Sequence, residues 1–176
     1  DAQESRGLGD VYKRQIQDNV TRFCNGLIGW GDPTGGKKSE VESDYPKTSS
    51  ISGTIYDVAK AKWGGKWRIA TQNEFQELIS ACIWTWEERN GYYGYKVTGP
   101  SGNSIFLPTT GYRRGFSWYN SDKGYYWTGT MRSSTSPYPY VLNFDKANKG
   151  LNTTSVSGLA YPFKNYGCAI RPVQDK

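Results

Sequence analysis

Trp63-Gly64-Gly65-Lys66-Trp67-Arg68-Ile69-Ala70-Thr71, continued by Gln72-Asn73-Glu74-Phe75-Gln76-Glu77-Leu78, is the stretch whose reading decides the fold. It reads as a helix end, a tight glycine turn, a short strand and a capped helix. Thr71 is a good N-cap, and Glu74 stands three residues on, so the two side chains can exchange bonds with the first free amides of a helix. Phe75, Leu78, Ile79 and Cys82 then fall at i, i+3, i+4 and i+7, which is one buried helical face. A helix over 72–81 is expected.

Working outward, Thr54 with Asp57 three residues on predicts the cap of a preceding helix that runs to Trp63, where Gly64 or Gly65 ends it. Residues 31–53 are rich in Gly, Pro, Lys and Ser and read as a long loop. Downstream, Ile83 to Trp86 leaves the helix as a short strand, and Glu87 to Gly91 reads as a polar loop. Gly94 to Thr98 and Ser104 to Leu107 read as a hairpin closed by Gly99-Pro100-Ser101-Gly102. Tyr125 to Thr130 is a strand. Tyr138, Tyr140, Leu142 and Phe144 alternate along the next one, with Pro137 and Pro139 placing its start at an edge. Weak strand signals follow near Leu151 and Val156, and Cys168 to Val173 closes the chain. Helices followed by strands make an α+β chain.

The length of 176 residues suits one domain with a real core. Fourteen tyrosines, seven tryptophans and 21 glycines in a chain of mean hydropathy −0.74 are unusual. Aromatics suit the pleated surface of a β-rich fold. As a surplus, Tyr and Trp also supply rigid contact area for recognition. The net charge of +6 comes from scattered basic residues, apart from pairs such as Lys37-Lys38 and Arg113-Arg114. That pattern fits a solvated surface rather than a nucleic-acid stripe. No apolar run approaches the length of a membrane span.

The 63–78 run resembles the signature of the Fibrobacter succinogenes-type major paralogous domain family of Bacteroidetes surface and phage proteins. Further blocks resemble the family in its order: Gly31-Asp32-Pro33-Thr34-Gly35, Ile51-Ser52-Gly53-Thr54, Tyr56-Asp57-Val58-Ala59, Gly94 to Thr98, Gly102 to Pro108, Gly111-Tyr112-Arg113, Gly124-Tyr125-Tyr126-Trp127 and Ile170-Arg171-Pro172-Val173. The resemblance covers roughly residues 30–173. It implies a C-type lectin-like fold, with two helices packed on mixed antiparallel sheets and long loops, and a role as a binder. It also implies a secreted or cell-surface location. Some relatives are variable proteins of diversity-generating retroelements, mutated in a C-terminal stretch on a constant scaffold.

The beginning of the chain reads differently. Asp10-Val11-Tyr12-Lys13-Arg14-Gln15 is what GAT GTG TAT AAG AGA CAG would encode, part of a transposase adaptor used for sequencing libraries. Residues 1–15 are expected to be adaptor read-through joined to a truncated metagenomic gene; the alternative is a genuine basic arm. Residues 1–25 are accordingly set aside as a non-native or truncated segment, and 26–176 are taken as the C-type lectin-like domain.

The chain has no histidine, which removes Ser-His-Asp and Cys-His catalysis and His zinc sites together. It carries no P-loop and no dinucleotide glycine pattern. The formylglycine-generating enzymes share a related fold but depend on a reactive cysteine pair. Here Cys82 and Cys168 fall on core elements. They are the one disulfide pairing to consider, and two small buried hydrophobes are the alternative; Cys24 is left over. Lectin calcium motifs are missing, and Asn143, Asp145 and Asn148 supply too few oxygens. No enzyme activity, cofactor or metal is expected.

What remains is Met131 to Tyr166, dense in Ser, Thr, Asn and Tyr with Lys146, Lys149 and Lys164 interspersed. Tyrosine beside small polar residues is the mix that binding loops use; a solvated loop is the plainer reading. The expected contact groups are Arg132, Tyr138, Tyr140, Asn143, Asp145, Asn152, Thr154 and Tyr161. The expected partner is a glycan or protein ligand on a cell surface, with a structural role in a cell-surface or fimbrial assembly as the alternative.

Overall fold

The computed structural model describes residues 27–34, 41–115, 117–133, 136, 138–152 and 162–175. These form two α-helices and four small, largely antiparallel sheets, an α+β architecture in which strands predominate. Helix α1 is Val58–Trp63 and helix α2 is Gln72–Ala81, with strand β1 (Trp67–Ile69) between them. A three-stranded meander follows: β2 (Ile83–Arg89), β3 (Tyr92–Thr98) and β4 (Ser104–Pro108). A small hairpin pairs β5 (Tyr112–Arg114) with β6 (Ser117–Tyr119). Strands β7 (Gly124–Met131), β8 (Pro139–Phe144) and β9 (Lys149–Leu151) then make a sheet in the order β10-β7-β8-β9, with β10 (Ala169–Ile170) parallel to β7. Strand β11 (Pro172–Gln174) turns away to pair with β1.

The β7–β8 sheet divides the interior into two cores, and the two-residue period of its strands assigns side chains to each. Tyr125, Trp127 and Val141 enter one core with Trp30, Ile51, Val58 and Cys168. Tyr126, Leu142 and Phe144 enter the other with Phe75, Tyr95, Val97 and Leu107. Both faces of the sheet are therefore covered, which is why β8 reads as nearly continuous burial. Two tryptophans tie the chain's early segment to β7. Trp30 Nε1 donates to the Thr128 carbonyl at 2.8 Å, and Trp127 Nε1 donates to that of Ile28 at 2.7 Å.

The central run folds as its residues predict. Thr71 caps α2, its hydroxyl accepting from Glu74 N at 3.3 Å while Glu74 Oε2 accepts from Thr71 N at 2.7 Å. Arg68 grips both Glu74 carboxylate oxygens at 2.7 and 2.8 Å. This guanidinium holds the Glu74 carboxyl down at about 2, against 4.5 for an ordinary glutamate. A carboxyl depressed on folding contributes stability above its unfolded pKa and loses it as pH falls through the folded one. Stability is therefore expected to fall between pH 4.5 and about 2, and Glu74→Gln to flatten that limb of an acid-unfolding curve. An unchanged limb would show that Glu74 does not carry it.

Several expectations need correction. Helix α1 begins after Asp57, not Thr54, because Asp57 caps it by accepting from Ala59 N and Lys60 N. The 87–91 segment is not a loop. Asn90 and Gly91 take positive φ of 52° and 83°, the geometry of a two-residue hairpin turn, so β2 runs on to Arg89 and pairs with β3 along its whole length. Strand β8 is flanked on both sides only over Leu142–Phe144, so its Pro139 end, paired with Met131 of β7 alone among the described residues, is at an edge as expected. The register against β7 shifts between Trp127 and Met131, next to the Met131–Pro139 pair. The closing strand breaks at Arg171 into β10 and β11, which serve different sheets. Cys82 and Cys168 are both free and pack into different cores, so the pairing considered for them is not made. Cys24, Val156 and residues 1–25 lie outside the described residues.

Candidate functional site

The eight expected contact residues do not gather into one site. Asn143 is completely buried. Asn152, at φ 50°, is also buried, and its side-chain oxygen accepts from Val141 N at 2.7 Å, continuing the ladder past β9. Asp145 closes the β8–β9 turn, its Oδ1 accepting from Ala147 N and Asn148 N. Burial withholds Asn143, and the fold occupies Asn152 and Asp145, since short polar side chains at turns and strand ends satisfy backbone amides before they can reach a ligand. Tyr140 shares the face of β8 that carries Leu142 and Phe144. Thr154 and Tyr161 lie outside the described residues. Arg132 is exposed, and its backbone N–H donates to the carbonyl of Tyr138, so these two are neighbours.

Tyr138 leads to an arrangement that the sequence did not disclose. Its ring lies 4.9 Å from Phe163, and Phe163 lies 5.7 Å from Tyr166. Tyr166 then stacks on Tyr112 at 6.0 Å and 5°, and Tyr112 stacks on Tyr119 at 5.4 Å and 17°. Five rings from three chain segments thus form one row, and the Arg114 guanidinium lies 5.7 Å over Tyr166. The row forms because Arg113 and Gly167 exchange both backbone bonds, at 2.7 and 2.8 Å, which docks the β5–β6 hairpin onto the 162–168 segment.

The hairpin is a prepared platform. Tyr112 and Tyr119 are register partners, as are Arg114 and Ser117, so all four share one face. Arg113 and Trp118 take the other. Trp118 donates from Nε1 to the Thr110 carbonyl at 3.0 Å, which fixes its ring against the backbone of Gly111. A Cβ at Gly111 would collide with that nitrogen and lie 2.5 Å from the Tyr119 carbonyl oxygen, and its φ is 60°. Glycine is needed there both for conformation and for room. Trp118 and Tyr119 remain 41% and 42% exposed, so two large aromatic surfaces are held rigidly at the surface. The signal for this in the sequence is the Gly111 to Tyr119 segment, dense in aromatic and basic residues; its partners 50 residues away carry no local mark.

Titration chemistry is confined to structural groups. Burial pushes the Tyr112 phenol up, with Tyr166 and Tyr119 adding to the effect and Arg114 opposing it. Burial likewise pushes the Cys168 thiol well up, which leaves it protonated and unreactive. Tyr126 is fully buried and donates to the Pro108 carbonyl at 2.7 Å. Among the described residues no three Cys, Asp or Glu side chains converge as a metal site, and no helix is long and apolar enough to cross a membrane. The arrangement can hold a ring against a ring and an anion against a guanidinium. Compared with protein-family models, with curated proteins and with solved structures, the chain finds no match.

Proposed function

We propose that this protein is a non-catalytic recognition module of a secreted or surface-displayed bacterial or phage protein, built on a C-type lectin-like fold. It binds a glycan or protein ligand through its tyrosine-rich face. The supporting observation is the row from Tyr119 to Tyr138, whose outer ring, Tyr119, is 42% exposed while stacked on Tyr112. Rigid aromatic surfaces lose little conformational entropy on binding, which is what a recognition surface needs. The fold proposal draws support from two helices packed with several small antiparallel sheets.

The test is a glycan array together with a pull-down from cell surfaces, run on wild type and on Trp118→Ala and Tyr119→Ala. Loss of an anchoring aromatic is expected to weaken binding about tenfold. For Tyr119→Ala the melting temperature should move by only about 2 °C, whereas Trp118→Ala also removes the bond to the Thr110 carbonyl and should lower it further. Captured ligand that is indifferent to both substitutions would sink the reading.

One observation favours a second reading, a structural module of a surface assembly. Strand β2 lies at the edge of its sheet, and Ile83 on it is 71% exposed. Such an edge is a template for pairing with a further strand. Concentration-dependent self-association abolished by Ile83→Lys would support that alternative.

A further inference from the structure

We propose a second binding site, for a quaternary ammonium group of the choline class, on the faces of Trp84 and Tyr95. It shares no residue with the tyrosine row, so it goes beyond the recognition reading and stands or falls apart from it. Trp84 and Tyr95 lie on one face of the β2–β3 pair, because Tyr95 is the register partner of Trp86, two residues along from Trp84. Their rings stand at 74° with centroids 5.4 Å apart. Two walls at that angle enclose a corner, and the corner already holds a cation. Lys149 reaches into it from β9, its Nζ 5.6 Å from the Trp84 centroid and 5.8 Å from the Tyr95 centroid. Both distances lie within the range, about 6 Å, over which a ring quadrupole attracts a positive charge.

The corner is built before any ligand arrives. Trp84 Nε1 donates to the Leu78 carbonyl at 3.0 Å, and the Tyr95 hydroxyl donates to that of Lys146 at 3.1 Å. Each ring is thus pinned by its polar tip. Phe144 packs on both, at 6.4 and 5.5 Å, and Trp86 stands T-shaped to Tyr95 at 5.0 Å. Burial pushes the Tyr95 phenol up, and the Asp145 charge adds to this, so the ring stays neutral with a carboxylate nearby. Rings already held in place lose little entropy when a ligand binds.

Lys149 shows what the corner attracts but fits it poorly. A primary ammonium carries three N–H donors and is strongly hydrated, and ring faces replace that hydration badly. Lys149 is exposed on the outermost strand of its sheet, so its flexible stem can withdraw into water. A quaternary ammonium has no donor to satisfy and lays its methyl groups on the rings, so it gains more from the same corner. Lys149 acts as a displaceable plug.

The test is titration calorimetry of the full chain at low salt with choline, ethanolamine and dimethylbutanol, the uncharged isostere in which carbon replaces the choline nitrogen. Choline is expected to bind about tenfold more tightly than either of the others. Lys149→Ala should tighten choline binding about threefold by emptying the corner. Because Lys149 is exposed, that variant should keep the wild-type melting temperature. Trp84→Leu should lose choline binding, with circular dichroism checking its fold. Dimethylbutanol binding as tightly as choline overturns the proposal in favour of a plain apolar site. Ethanolamine binding as tightly overturns the preference for a quaternary group. Failure of choline to bind wild type and Lys149→Ala alike overturns the site, and so does weaker binding by Lys149→Ala. Vesicles of phosphatidylcholine separate the sources: co-sedimentation assigns a lipid headgroup, and choline binding without it assigns a soluble ligand. None of these outcomes bears on the tyrosine row, which Tyr119→Ala tests by itself.

Discussion

Asp57→Ala is expected to lower the unfolding free energy by about 3–5 kcal/mol, enough to threaten the fold outright. Asp57 is completely buried, and its two oxygens accept four backbone amides. Oδ1 takes Ala59 N at 2.8 Å and Lys60 N at 3.2 Å, which starts α1. Oδ2 takes Gly53 N at 2.7 Å and Ile69 N at 2.9 Å, which binds the preceding loop and β1 to that helix. Alanine would strip partners from all four donors at once, and unsatisfied buried amides carry their full desolvation penalty. Asp57→Asn is the sharper variant. It can keep the helix cap through one oxygen, but sets an amide NH2 against two N–H donors, so most of the loss should remain. Urea unfolding checks both. If asparagine restored wild-type stability, the link to Gly53 and Ile69 would contribute little, and Asp57 would be a helix cap alone.

Gly94→Ala is the second large effect, expected to cost about 3 kcal/mol or more because the obstacle is backbone. Gly94 sits in β3 opposite Pro108 of β4. A Cβ there would collide with the Leu107 carbonyl oxygen and come within 2.7 Å of the Pro108 Cα. A flexible side chain could swing aside, but a paired strand cannot do so without breaking the ladder. The neighbouring residues Tyr95 and Leu107 belong to the second core, so separating β3 from β4 there would open that core to water. Thermal unfolding of the variant provides the measurement. A melting temperature within about 2 °C of wild type would mean that β4 ends before Pro108 and carries no strain. Gly102 offers a control in the same meander, since it meets nothing within 4 Å but has φ of 84°. Alanine there should cost only the conformational penalty, about 1 kcal/mol.

The local devices of the 63–81 run were legible because each depends on residues within four positions of one another. The Thr71–Glu74 box and the Phe75, Leu78, Ile79 and Cys82 face both stand in the structure. The Asn90-Gly91 turn is equally local but is obscured by the charged Glu87-Glu88-Arg89 run, which reads as loop. Those residues are tolerated in a strand because β2 is an edge, with one side open to water. The polar residues of 131–166 misled for a different reason. Exposure and capping require the same side chains, and composition does not separate an asparagine facing solvent from one such as Asn152, folded back onto Val141 N.

The sequence by itself determined the two helices, the Thr71 cap of the second, the 94–107 hairpin and the alternation that gives β8 its Leu142 and Phe144 side. These follow from backbone propensity and side-chain period, which act over one or two turns of chain. Only the tertiary structure decided which aromatics meet at the surface. Tyr119, Tyr112, Tyr166, Phe163 and Tyr138 come from segments separated by up to about 50 residues, and they align because Gly167 lies against Arg113. Such a contact is fixed by packing two cores against one sheet, a balance of burial over the whole chain that no short window of sequence contains.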